Sequence, residues 1–513
     1  MRKLRPAAKV SVLLCVLTST ACNVGRRQLY EPYAIPHIRD TQAPVKLHMM
    51  SGELYALDAW NFELADSVIV GSGALHGIDR QVVSRGTFSV PMDSVIFAET
   101  NEPRTVAPFG IPLLAVWSTV WGAFTVACVA DPKSCFGSCP TFYLDDVSTD
   151  RPRAEGFSSS IAKVLEERDV DALGVSRPGG VRVDVRMTNE ALETHAVRYV
   201  QLHAVPKPAD TEIFATAEGD FYEASRTLGA VRCRSPQGDC LGNLLFRDSL
   251  EYRSLTDSAD LGIRETVELV FPAAAGNVGL VLEARQTFVS TFLLYQMMAY
   301  MGSEAATWLA TLERGDPFSR RAAWRMANIV GSIEVSIAVD SGPWRAIGSF
   351  SEAGPIASDV QMVPFTLPPA SDSVRVRLEM ARGSWRIGYV GLVTASPTTA
   401  TVLDPFEVRR LKGATGEERE ILRDANRYLF THPGDEYLLS FRLPSDTDLY
   451  ELFLESSGYY YEWMRAEWLA EEDPTMVALM LTHPEAALKA LAGEYKRREA
   501  DFEVNFWNSR FGR

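Results

Sequence analysis

DSVRVRLEMARGSWRIGYVGLV, residues 372–393, decides how this chain is read. Val374, Val376, Leu378 and Met380 alternate with Arg375, Arg377 and Glu379, the period of a strand with one buried and one wet face. Arg382-Gly383 then supplies a turn, and a second apolar run returns as its partner. SIEVSIAVDSGPWRAIGSF, 332–350, repeats the device: Ile333, Val335, Ile337 and Val339 share a face, and a DSGP turn precedes the returning strand. Two hairpins joined by a Pro-rich link predict an antiparallel sandwich-like domain over 328–400.

The same alternation spreads outward. Residues 22–104 read as a β-rich N-terminal domain, a small meander or barrel, from VKLHMMSGELYALDAW (45–60), SVIVGSGALHGIDRQVV (67–83) and GTFSVPMDSVIFAE (86–99). Residues 131–278 form a second β-rich domain with GGVRVDVRMTN (179–189) as its clearest strand, and SSSIAKVLEERDVDAL (158–173) predicts a short amphipathic helix capped by serine. Residues 279–315 lack proline and read as one long helix, apolar on almost every face between Thr287 and Met301 and therefore buried. The region 401–513 is mixed and mainly helical, with a strand at EYLLSFRL (436–443) and helices over 459–472 and 475–502. The expected class is multi-domain, β-rich α+β: antiparallel sandwich- or barrel-like domains, a long buried helix and a helical C-terminus.

Bulk composition narrows the function. At 513 residues the chain exceeds one core, and 46% hydrophobic with 23% charged residues is ordinary globular composition. The net charge of -15 repels polyanions, so nucleic acid is not an expected partner. Residues 1–21 are set apart as a signal peptide: Arg2, Lys3, Arg5 and Lys9 precede the apolar run VSVLLCVLTST. Their removal lowers the basic count from 51 to 47 against 66 acids, a net charge of −19.

Ser19-Thr20-Ala21-Cys22 resembles the cleavage box of bacterial lipoproteins, with serine where leucine is usual. The resemblance implies lipidation of Cys22, a membrane partner through that lipid, and, since Asn23 is not the aspartate of inner-membrane retention, the outer membrane. Ordinary signal cleavage is the alternative. Elsewhere the chain resembles envelope lipoproteins of no assigned activity, around CFGSCPTFY and the Tyr-rich C-terminal helix, which implies no activity.

The segment 105–130 carries no charge and is long enough for a span, but Pro108 and Pro112 confine a helix to about 113–130. It reads as a buried or re-entrant helix, a helix dipping into the leaflet, or a crossing. Cys135 and Cys139 follow at C-x-x-x-C, and Cys233 and Cys240 form the other close pair. Zinc wants four ligands in two close pairs, and a thioredoxin-type site wants C-x-x-C, so in an exported chain each pair reads as a local disulfide. Cys128–Cys135 is the competing bond.

Few residues suggest chemistry. GSGALHG (71–77) follows a strand but opens no helix for a pyrophosphate, and reads as a glycine-rich hairpin. Ser160 and Lys163 make S-x-x-K without any K-T-G. In NEALETH (189–195), Glu190, Glu193 and His195 could serve acid–base work or a metal, against the plainer reading of a solvated turn. Tyr460 and Trp463 belong to an aromatic run suited either to stacking sugars or to packing. No cofactor and no metal is expected. The function expected is an exported, lipid-anchored envelope protein with a binding or assembly role towards envelope proteins or glycans; the alternative is an envelope hydrolase or carbohydrate-active protein using Glu190, Glu193 and His195.

Overall fold

The computed structural model describes residues 26–102, 139–305, 329–462 and 471–510, with short breaks, and scattered positions between 306 and 328. Cys22, Cys128, Cys135, the segment 105–130 and Trp463 lie outside the described residues, and with them the lipidation, membrane-segment and Cys135–Cys139 expectations. The chain divides into two compact units, Met1–Val120 and Trp121–Arg513.

In the first unit, one antiparallel sheet of six strands runs Arg26–Tyr30, Val95–Glu102, Val45–Met49, Leu54–Glu63, Val68–His76 and Val82–Pro91. Val45, Leu47, Leu57, Trp60, Ile69 and Val95 form its core. GSGALH (71–76) lies within Val68–His76, paired on both sides, and Gly77 follows the strand. Its glycines serve close approach of backbones: a Cβ on Gly73 would sit 2.0 Å from the Ala56 carbonyl oxygen, beside a bulge between Leu57 and Ala59.

The second unit holds two sandwiches. One packs the sheet Glu407–Arg410, Glu436–Arg442, Arg182–Thr188, Thr141–Leu144, Ala154–Glu155 against a sheet built on the strands Glu193–Pro206 and Tyr450–Glu462, flanked by Thr401–Leu403, Leu429–Thr431 and Glu167–Val175. Phe142, Val185, Val200, Leu202, Leu439, Phe441 and Leu454 fill the space between. The other sandwich packs an eight-stranded sheet on a six-stranded one. Its chain alternates between layers: Arg264–Pro272 in the six, Gly276–Gln286 in the eight, Ile333–Val339 and Arg345–Phe350 in the six, Asp359–Leu367 in the eight, Ser373–Ala381 in the six, Trp385–Thr394 in the eight. Val267, Leu269, Leu280, Leu282, Val376, Leu378, Val390 and Leu392 lie between the layers. A β-rich, mostly antiparallel architecture is therefore what the sequence patterns produce.

Four expectations need correction. The two arms of 372–393 are not a hairpin: they lie in opposite sheets, facing across the core, and Gly383 at φ +83° turns the corner so close to Thr256 that a Cβ would stand 2.5 Å from its nitrogen. Their neighbours are Arg264–Pro272 and Gly276–Gln286, so 328–400 does not close a sandwich alone. The second correction concerns 279–315, whose start is the strand Gly276–Gln286; the helix is Val289–Met301. A central strand buried on both faces has the same unbroken apolar run as a buried helix. Third, 158–173 gives a single 3-10 turn, Lys163–Leu165, and then the strand Glu167–Val175; Ser160 Oγ accepts from the Glu167 amide across that turn. Fourth, the Tyr-rich stretch starts as strand, since Tyr459–Tyr461 end Tyr450–Glu462.

The helix expected over 475–502 is present but divided in two, Pro474–Thr482 and Pro484–Arg510, with His483 as the C-cap of the first and Pro484 opening the second. Asp473 caps the first by accepting from the Thr475 and Met476 amides, with Pro474 at N1. They pack with Val289–Met301 through Phe292, Tyr495 and Phe502. No helix among the described residues is long and apolar enough to cross a membrane.

Candidate functional site

The strands Glu193–Pro206 and Tyr450–Glu462 pair along their whole length, from Glu193 opposite Glu462 to Pro206 opposite Tyr450, with a bulge between Val197 and Tyr199. Along that pair lie two carboxylate–imidazole contacts.

At one end, alternation puts Glu193 and His195 on the same face. Both are 0% exposed, so the solvated-turn reading of NEALETH fails for them. Glu193 Oε1 meets His195 Nε2 at 2.7 Å, and Thr431 Oγ1 meets His195 Nδ1 at 3.1 Å. Asn189 donates to the Glu193 and Thr431 carbonyls and so ties the turn to the neighbouring strand. Opposite them stand Tyr460 and Glu462. The Tyr460 hydroxyl donates to the Ser158 carbonyl, and Tyr295, from the Val289–Met301 helix, donates to Glu462. Burial pushes the Tyr460 phenol well above its ordinary range, and the nearby Cys139, Glu193, Glu462 and Tyr295 push the same way. Glu190 turns elsewhere, accepting from Tyr143 at 2.7 Å and Thr188 at 3.1 Å.

These contacts have the form of an interior brace. A carboxylate and an imidazole held at both ring nitrogens, with no exposure, offer an incoming substrate no approach. Tyr460, only 5% exposed, has no open ring face, which corrects the stacking-platform expectation for that residue.

Farther along the strands, Glu455 accepts from Tyr199 and from His203 Nε2, each at 2.7 Å, with Arg168 at 3.7 Å. Burial raises the Glu455 carboxyl, but the His203 and Tyr199 hydrogen bonds outweigh it and hold the group below its ordinary value. His203 Nδ1 is buried without a hydrogen-bond partner, and its ring lies 5.3 Å from Phe221. Sequence reading missed this set, although the alternation in YVQLHAV puts Tyr199, Gln201 and His203 on one side. The missing half of the signal is Glu455, which lies 252 residues away.

Among the described residues, no group of three or more His, Cys, Asp or Glu side chains is placed to hold a metal ion. Cys233 and Cys240 are joined as a disulfide, both buried against the second sandwich's core. Cys139 is buried in the first sandwich.

No protein-family model matches the chain, and no curated protein matches it. Solved structures with a local likeness include the enzymatically active domain of tailspike protein 4 from bacteriophage CBA120. That likeness has 9% identity, 29% of this chain, 17% of that one and a TM-score of 0.18. The C-terminal CBM6 of LamC from Zobellia galactanivorans matches at 7% identity over 38% of this chain and 99% of that one, TM-score 0.14. A CBM4 structure matches at 10% identity over 37% and 78%, TM-score 0.14. The chain thus spans about a sixth of the tailspike chain, and the fold rests on the sheets described above.

Proposed function

We propose that this chain is an exported, lipid-anchored protein of the cell envelope, held at the outer membrane through Cys22, whose work is binding or assembly. The observation that supports export is the Cys233–Cys240 disulfide, because such bonds persist in oxidising compartments and are rare in the cytosol. It agrees with the basic-then-apolar leader and STAC box. Binding is favoured over catalysis because the carboxylate–imidazole pair that would serve a hydrolase is sealed.

Labelled-palmitate incorporation with membrane fractionation tests the anchor, comparing the native chain with Cys22→Ala behind a cleavable signal. Loss of both label and membrane association in the variant is expected. A Cys22→Ala chain that stays in membranes through an alkaline wash would show that another segment holds it there.

A further inference from the structure

We propose that the outward face of the six-stranded sheet binds an anionic saccharide, a sugar polymer bearing carboxylate or phosphate groups; this rests on the binding role above and gives it a site. The strands that bury Cys233, Leu269, Val376 and Ile337 inward present Arg232 and Arg234, Glu268 and Val270, Arg375 and Arg377 outward. Register aligns these in two adjoining rows: Arg234, Glu268, Arg377 in one and Arg232, Val270, Arg375 in the next. Four guanidiniums thus stand against two carboxylates, Glu268 and, opposite Arg234 on the edge strand, Asp239, whose Oδ1 accepts from the Leu241 amide, on a chain of net charge -15. The next row carries two carboxylates, Glu379 and Glu334, with Arg264 3.2 Å from Glu334.

Over the basic rows lies Trp344. Arg377 stands 4.0 Å and Arg375 5.0 Å from the indole ring centroid. The guanidiniums are fixed: Arg375 donates to the Asp340 and Gly342 carbonyls at 2.9 and 3.0 Å, and Arg377 donates twice to Glu268 Oε1 at 3.1 and 2.8 Å. A guanidinium has five N–H donors, so each retains some for a ligand. Held forks suit a carboxylate or phosphate, and an indole suits the C–H face of a sugar. Stacked on the arginines, the indole lies against the sheet instead of projecting from it, which favours a sugar ring over insertion into lipid.

The full chain, purified in detergent, is titrated calorimetrically with polygalacturonate, a phosphomannan, neutral dextran and phosphatidylglycerol vesicles. Binding to at least one anionic polymer and not to dextran is expected, weakening as salt rises. Trp344→Ala and the exposed pair Arg232→Gln/Arg234→Gln should each weaken it about tenfold, with thermal unfolding unchanged and Arg264→Gln without effect. Equal binding of dextran, no binding of either anionic polymer, or vesicle binding alone that Trp344→Ala abolishes would overturn the proposal. The Cys22→Ala chain binds as well as the native one if the site is right, whatever becomes of the lipid anchor.

Discussion

Glu193 Oε1 and His195 Nε2 meet at 2.7 Å, and Thr431 closes the remaining ring nitrogen. Removing one partner takes a hydrogen bond from a charged group inside the core, which costs far more than the pair's net worth. His195→Ala should therefore lower the free energy of unfolding by about 3–5 kcal/mol, read from urea melts; a change under about 0.5 kcal/mol, the size of a surface substitution, would show that the pair braces nothing. NEALETH displayed these side chains together in the sequence, yet their burial was not readable there. The groups that enclose them come from Thr431, 236 residues away from His195, and from Tyr460, whose own partner Ser158 is 302 residues distant.

Among the elements, the helical layer carries a charge that its burial resists. Glu471, 8% exposed, accepts from Gln296 of the Val289–Met301 helix. Burial lifts its carboxyl from the ordinary 4.5 up to about 7; Gln296 opposes the lift, Glu494 adds to it and Arg498 opposes it. Because the folded pKa is the higher one, the folded state binds the proton more tightly. The resulting stability is complete below about pH 4.5 and is lost as pH rises through 7. Glu471→Gln should thus be more stable than the native chain by about 1–3 kcal/mol at pH 8 and nearly equal to it at pH 4.5, a contrast that chemical unfolding at the two pH values measures. Equal differences at both would mean the carboxyl titrates normally. The start of the terminal helical region near residue 475 was legible, and Asp473 capping ahead of Pro474 is the local reason it begins there, whereas its division at Pro484 was not read. The strand Gly276–Gln286 was not, since its burial on both faces comes from the layers around it.

For the whole molecule, the chain's alternation between layers makes the second sandwich indivisible. The Ser373–Ala381 strand needs Arg264–Pro272 beside it, and Trp385–Thr394 needs Gly276–Gln286. An isolated 328–400 fragment should show no cooperative melt by circular dichroism, lacking those central strands; a cooperative β-rich transition would mean the fragment owns a core of its own. The sequence by itself determined that the chain is β-rich, which faces of Ile333–Val339 and Ser373–Ala381 turn inward, and where the terminal helical region begins, because periodicity acts over a few residues. Only the tertiary structure decided that the arms of 372–393 lie in opposite sheets, that Tyr459–Tyr461 extend a strand, and that Arg232, Arg234, Arg375 and Arg377 share one face with Trp344. Strand pairing joins residues far apart along the chain, and periodicity records which way a side chain points but not which strand lies beside it.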